Sequence, residues 1–248
     1  IRAAEGRGSG DAAWFGSLPL VPADDAYAAE WAIRATTHRT FIDKALTPIE
    51  SRTGRALNIL DLGAGVGWLS NRLAERGHAV AGVDLSDDAR DGLGAWRHYA
   101  TRWSPVQAEF DALPFRDATC DLVVFNASLH YSTDIAATLH EALRVTKTSG
   151  QVVIIDTPVY RDRSSGTQML AERAEGFEQR FGRRSDALPV EGFLTEDRLA
   201  ALAASLHLRW TRHDPSLGLG WKLRPLRARL RGHREPARFP VLVAERAS

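Results

Sequence analysis

Over residues 56–157 short apolar runs alternate with amphipathic stretches. ALNILDL (56–62), HAVAGVDLS (78–86), PVQAEFDAL (105–113), CDLVVFNASL (120–129) and QVVIIDTPV (151–159) read as strands. Between them VGWLSNRLAERG (66–77), DDARDGLGAWRHYATRW (87–103) and TDIAATLHEALRVTKTSG (133–150) read as helices, the first and last closed by Gly77 and Gly150. Strands alternating with helices predict βαβ units and a parallel sheet. Ahead of them, a helix is predicted from about Ala26, capped by Asp24 or Asp25, with Tyr27, Trp31, His38, Phe41 and Leu46 on its apolar face. It is expected to end at Thr47-Pro48.

Beyond Pro158 the rhythm changes to an inserted helix with loops, a short helix over 195–205, and two last strands at 206–214 and 237–246. The expected fold is α/β: a Rossmann-like, seven-stranded mixed sheet of five parallel strands plus a C-terminal pair, one of that pair antiparallel. Residues 1–50 would form an N-terminal helical cap, with a mobile first dozen residues. Residues 51–248 would form the main domain, with the 158–194 insertion as a helical lid.

Composition narrows the function. The 248 residues are 44% hydrophobic and 25% charged with a net charge of +1, ordinary for a globular protein and not for a general nucleic-acid binder. The single cysteine, Cys120, excludes an internal disulfide framework, precedes an apolar strand and reads as buried and inert. No clustered His and Cys ligands suggest a metal site. No apolar run nears the ~18 residues of a spanning helix, and the first residues lack a signal-peptide core, so a cytoplasmic location is the default expectation. One stretch departs from the average: six Lys/Arg fall in the thirteen positions from 222 to 234, interleaved with leucines. A solvated connection between the last two strands is the first reading, with an anionic membrane surface, an acidic substrate or RNA as alternatives. Pro225 and Gly232 limit any continuous helix there.

The strongest chemical signal is Asp61-Leu62-Gly63-Ala64-Gly65-Val66-Gly67, between a strand and a helix. Glycines permit a tight turn and close approach of backbone to ligand, and the helix that follows offers free N–H groups. A dinucleotide fingerprint read from Gly63 would need its third glycine at position 68, which is Trp68. The spacing therefore counts against NAD and FAD.

The pattern resembles motif I of the class I S-adenosylmethionine-dependent methyltransferases, and the resemblance continues in order over residues 56–157. It implies that Asp61, Gly63, Ala64, Gly65 and Gly67 build the cofactor turn, bordered by Trp68. Asp84, in GVDLS, corresponds to the acid that binds the ribose hydroxyls, and Leu85 to the residue packed on the adenine. Asp111, Ala112 and Leu113 correspond to the adenine-end segment, and Asn126 and Ala127 to the loop after the fourth strand. S-adenosyl-L-methionine is the implied cofactor.

His130 follows in the same loop, where a base could take a proton from a hydroxyl acceptor or a donor could orient it; Tyr131 is a further candidate. The loop lacks the prolines of the nucleobase amino-methyltransferases, so the acceptor is expected to be a small metabolite or lipid-like molecule, methylated on oxygen ahead of nitrogen or carbon. Tyr27, Trp31, His38 and Arg39 on the N-terminal helix, and Tyr160, Arg161, Met169 and Arg173 on the insertion, are candidate acceptor contacts. Thr37 or Arg39 could reach the methionine carboxylate. Rival readings are an RNA methyltransferase using the basic stretch and a non-catalytic binding protein on the same scaffold.

Overall fold

The computed structural model describes residues 11–182 and 189–247. Three helices come first: α1 (Ala12–Ser17), α2 (Ala28–Phe41) and α3 (Thr47–Thr53), with a π-helical turn, Ile42–Leu46, joining the last two. The N-terminal helix thus runs past the break expected at Pro48. Pro48 sits in the first turn of α3, directly after the π-helical turn, and Gly54 (φ +63°) ends the run. Residues 1–10, most of the segment expected to be mobile, lie outside the described residues.

The alternating region follows as β1 (Asn58–Leu62), α4 (Trp68–Glu75), β2 (Ala79–Asp84), β3 (Ser104–Gln107), β4 (Cys120–Asn126), α5 (Ile135–Val145) and β5 (Thr146–Ile155). Asp134 caps α5 by accepting from the N–H groups of Ala136 (2.9 Å) and Ala137 (3.1 Å), and Ile135, Leu139, Ala142 and Val145 bury its apolar face. Leu122, Val123, Val124 and Phe125 of β4 are all fully buried because helices cover both faces of the sheet. Each such side chain contributes about 1.5–3 kcal/mol. This two-sided burial explains why β4 reads as a continuous apolar run instead of an alternation.

Three expectations are corrected here. The helix expected over 87–103 is replaced by bends and one 3-10 stretch, Leu93–His98. Asp88 accepts from the N–H groups of Arg90 and Asp91 (2.8 Å each), a local turn that competes with a helix, and a Cβ at Gly92 or Gly94 would collide with the folded-back backbone. The third strand stops at Gln107, not 113. Residues 146–150, read as the end of a helix, instead begin β5, where Thr146 pairs with Cys120 and Lys147 reaches Asp121 (2.8 Å).

After Ile155 come β6 (Val159–Tyr160), α6 (Arg163–Phe181), β7 (Leu194–Thr195), α7 (Glu196–Leu206), β8 (Leu208–His213), α8 (Gly218–Lys222), α9 (Arg224–Leu230) and β9 (Val241–Arg246). The main sheet has seven strands in the order β3-β2-β1-β4-β5-β9-β8, with β9 antiparallel to both neighbours; β6 and β7 pair in a small parallel sheet of their own. The fold class read from the sequence is thus the one observed. Its order reverses between β1 and β4, and an open parallel sheet offers a ligand crevice at the carboxyl ends of such strands. Among the described residues no helix is long and apolar enough to cross a membrane.

Candidate active site

A cleft of about 580 Å³ opens at that switch point. Its floor is the turn after β1, where Gly63 (φ +75°) and Gly65 (φ +53°) hold left-handed backbone; a side chain at Gly63 would overlap Ser128, whereas nothing lies within 4 Å of the space above Gly65. Asp84, at the end of β2, accepts from the Gly65 N–H (2.8 Å) through one oxygen and from the Ser86 N–H (3.0 Å) through the other. A carboxylate oxygen accepts more than one bond, so Asp84 both shapes the turn and keeps capacity for a ligand.

The other wall is made by the ends of β4 and β5 and by α2. Ala127 (φ +54°) and Asp156 (φ +55°) follow adjacent strands in left-handed conformations that residues with a Cβ seldom adopt. Asp156 is 7% exposed; Thr37 donates to its Oδ1 (2.7 Å), and its Oδ2 is buried without a partner. Burial raises the Asp156 pKa, opposed by the Thr37 bond and the Arg34 charge. Asn126 Oδ1 is likewise buried and unpartnered. Beside them His130 sits 3.5 Å from the Thr157 hydroxyl and packs on Tyr131. Burial, with the charges of Arg173 and Arg34, pushes the imidazole pKa down to about 3, so His130 is neutral at physiological pH.

Trp31 and Trp68 meet edge to face at 6.0 Å and form the aromatic side of the cleft with Tyr27. Trp14 adds to it, its indole N–H donating to Asp25 (2.9 Å).

Of the residues singled out in the sequence, Tyr27, Trp31, Gly63, Ala64, Gly65, Trp68, Asn126, Ala127, His130 and Tyr131 share this cleft. Others lie elsewhere. Asp61 is fully buried beneath the turn, bonded by Ser70 (2.8 Å), and burial lifts its pKa to about 7. Gly67 caps α4 and presses against Trp103. Leu85 is exposed outside the cleft, as are Asp111 and Ala112, while Leu113 belongs to the core and its N–H donates to Glu141 (2.8 Å).

Arg39 is exposed and donates to Thr36; Thr37 bonds Asp156 instead of lining the cleft. His38 packs against Trp68, and Arg161 is exposed. On the insertion, Tyr160 is buried against Phe193, Met169 is half-buried away from the cleft, and Arg173 donates to the hydroxyl of Tyr131, a cleft residue (3.3 Å). Sequence reasoning missed Asp25, Arg34, Asp91, Asp156 and Phe239, which also line the cleft. Asp156 had a signal, an acid at the carboxyl end of a parallel strand; Phe239 had none, because only the tertiary fold brings it there.

Comparison with known proteins places the floor of the cleft within a matched family region. The profile described as "Methyltransferase domain" matches residues 60–154, which span the turn, Asp84, Asn126 and His130. Residues 60–154 thus match a methyltransferase-domain family. The chain is 36% identical over 107 residues to the malonyl-[acyl-carrier protein] O-methyltransferase of Erwinia pyrifoliae, covering 42% of this chain and 38% of that one. It is 30% identical to the enzyme of the same name from Erwinia billingiae over 66% of this chain and 58% of that one. The chain thus spans about four- to six-tenths of the length of these relatives.

The geranyl diphosphate C-methyltransferase of Streptomyces coelicolor shares the fold of the methyltransferase domain and its additions (TM-score 0.56, 19% identity, 92% of this chain and 87% of that one). The cleft suits S-adenosylmethionine. The space above Gly65 admits a ligand against the backbone, and the orphaned oxygen of Asn126 suits its cationic groups.

Proposed function

We propose that the protein is a methyltransferase that moves the methyl group of S-adenosylmethionine to an oxygen of a small or lipid-like acceptor. The observation that carries this reading is the convergence, in one cleft, of the open Gly65 turn with the partnerless oxygens of Asn126 and Asp156. When bound, S-adenosylmethionine supplies an electrophilic methyl on a sulfonium, and in-line transfer then depends chiefly on placing the acceptor beside it. The Asp84 carboxylate takes the ribose hydroxyls, and Trp31 and Trp68 give the acceptor an apolar wall.

His130, neutral, serves the second of the two roles expected for it: it orients the acceptor oxygen by hydrogen bonding. Its low pKa makes it a weak proton acceptor. Asp156 is better placed as the base. Its Oδ2 receives the hydroxyl proton as the methyl bonds to oxygen, while Thr37 fixes Oδ1. The names of the Erwinia relatives, both O-methyltransferases, support oxygen as the methylated atom.

Transfer of labelled methyl from S-adenosylmethionine to pools of alcohols and carboxylic acids tests the reading. Asp156→Asn is expected to lower turnover about 100-fold or more while cofactor affinity is kept. Undiminished turnover in that variant contradicts the assignment of the base.

A further inference from the structure

Leu219, Leu223, Leu226 and Leu230 are 77%, 44%, 55% and 78% exposed. Large apolar side chains are normally exposed singly, so four within twelve positions call for a cause. Leu223 has helical angles (φ −85°, ψ −6°), and bonds from the N–H of Leu223 to Leu219 O (3.1 Å), Arg227 to Leu223 O (3.0 Å) and Arg231 to Arg227 O (3.2 Å) carry the helical ladder from α8 into α9. At 3.6 residues per turn the four leucines form one stripe about 60° wide. Lys222 and Arg229 flank it on one side and Arg224, Arg227 and Arg231 on the other. The opposite face holds Trp221, which packs on Phe239 of the cleft at 6.2 Å. Positions 215–234 contain no acid.

Beside the stripe lies a hollow of about 530 Å³ lined by Arg224, Arg227, Arg231, His233 and Arg234. Glu172, the one acid lining it among the described residues, is bound to Arg234 at 2.7 Å. Arg224 stacks on Trp221 at 3.8 Å, and its Nη1 is buried without a partner. Converging guanidinium groups with so little counter-charge call for anions.

We propose that residues 218–231 lie in the plane of an anionic phospholipid surface, with the leucines among the acyl chains and the arginine hollow on the lipid phosphates. The charge pattern selects this occupant. A second copy would bring the same cations against these, and a free phosphate would leave the leucines in water. Phe239, shared by anchor and cleft, places the contact at the rim of the cleft. Entry of the acceptor from the lipid side rests on the methyl-transfer reading; the surface contact itself does not.

Flotation with vesicles of phosphatidylglycerol and phosphatidylcholine tests the proposal, with pure phosphatidylcholine as the control. The protein is expected to float with the anionic vesicles only. Leu226→Ala with Leu230→Ala should weaken this about tenfold or more. Arg227→Gln with Arg231→Gln should weaken it comparably and flatten its salt dependence. Both variants should keep the wild-type melting curve and S-adenosylhomocysteine affinity.

Absence of vesicle binding overturns the proposal, as does equal binding by the leucine variant. Pyrophosphate binding without vesicle binding overturns it in favour of a soluble phosphate ligand. Self-association that is lost in the leucine variant, again without vesicle binding, overturns it in favour of a second copy. Failure of the wild type to bind S-adenosylhomocysteine would count against the methyltransferase reading alone and leave the vesicle result standing.

Discussion

Asp61, His38 and His130 show how burial sets charge in this protein. Burial lifts the Asp61 pKa to about 7, against an unfolded value near 3.9, so the folded state prefers the protonated acid. Its contribution is fullest below about pH 4 and is lost as pH rises towards 7, by up to roughly 4 kcal/mol at 1.36 kcal/mol per unit. The two histidines act in the opposite direction. Burial, with nearby arginines, holds His38 at about 4 and His130 at about 3, so stability falls as pH drops below 6.5. Thermal melts from pH 4 to 8 should therefore show Asp61→Asn losing less stability than the wild type between pH 5 and 7; parallel curves would mean that Asp61 does not titrate there. Asp156, raised in the same direction as Asp61, bears on activity: turnover should rise with pH as it ionises, and Asp156→Asn should flatten that limb of the profile.

The glycine turn separates two kinds of constraint within one element. Gly67→Ala places a methyl into the Trp103 ring at φ +74° and is expected to cost about 1–3 kcal/mol in a denaturant melt. Gly65→Ala meets no atom and carries only the left-handed penalty, about 1–2 kcal/mol, yet its methyl enters the space a ligand must occupy. Its signature should be loss of cofactor affinity beyond any loss of stability. This turn and the five parallel strands were legible in the sequence, because glycine spacing and doubly buried strands leave direct local marks. The segment 87–103 was misread because its apolar spacing mimics a helix while Asp88, Gly92 and Gly94 favour turns. Leu85 and Leu113 were assigned by family position, yet one faces solvent outside the cleft and the other the core. Side-chain direction at a strand end is decided by the fold around it.

For the whole molecule, the cleft lies where the strand order reverses, walled by the N-terminal helix and bordered through Phe239 by the basic α8–α9 unit. In the proposed function, residues 60–154 supply the cofactor turn, and the elements around them supply the acceptor walls and the lipid contact. Everything in this arrangement depends on which cofactor the Gly65 turn accepts. Calorimetric titration with S-adenosylhomocysteine, with NAD as the control, measures that directly. The account predicts saturable binding of S-adenosylhomocysteine, weakened about tenfold or more in Asp84→Ala by loss of a charged hydrogen-bond acceptor, and no heat from NAD. Binding of NAD, or affinity for S-adenosylhomocysteine unchanged in Asp84→Ala, would contradict it.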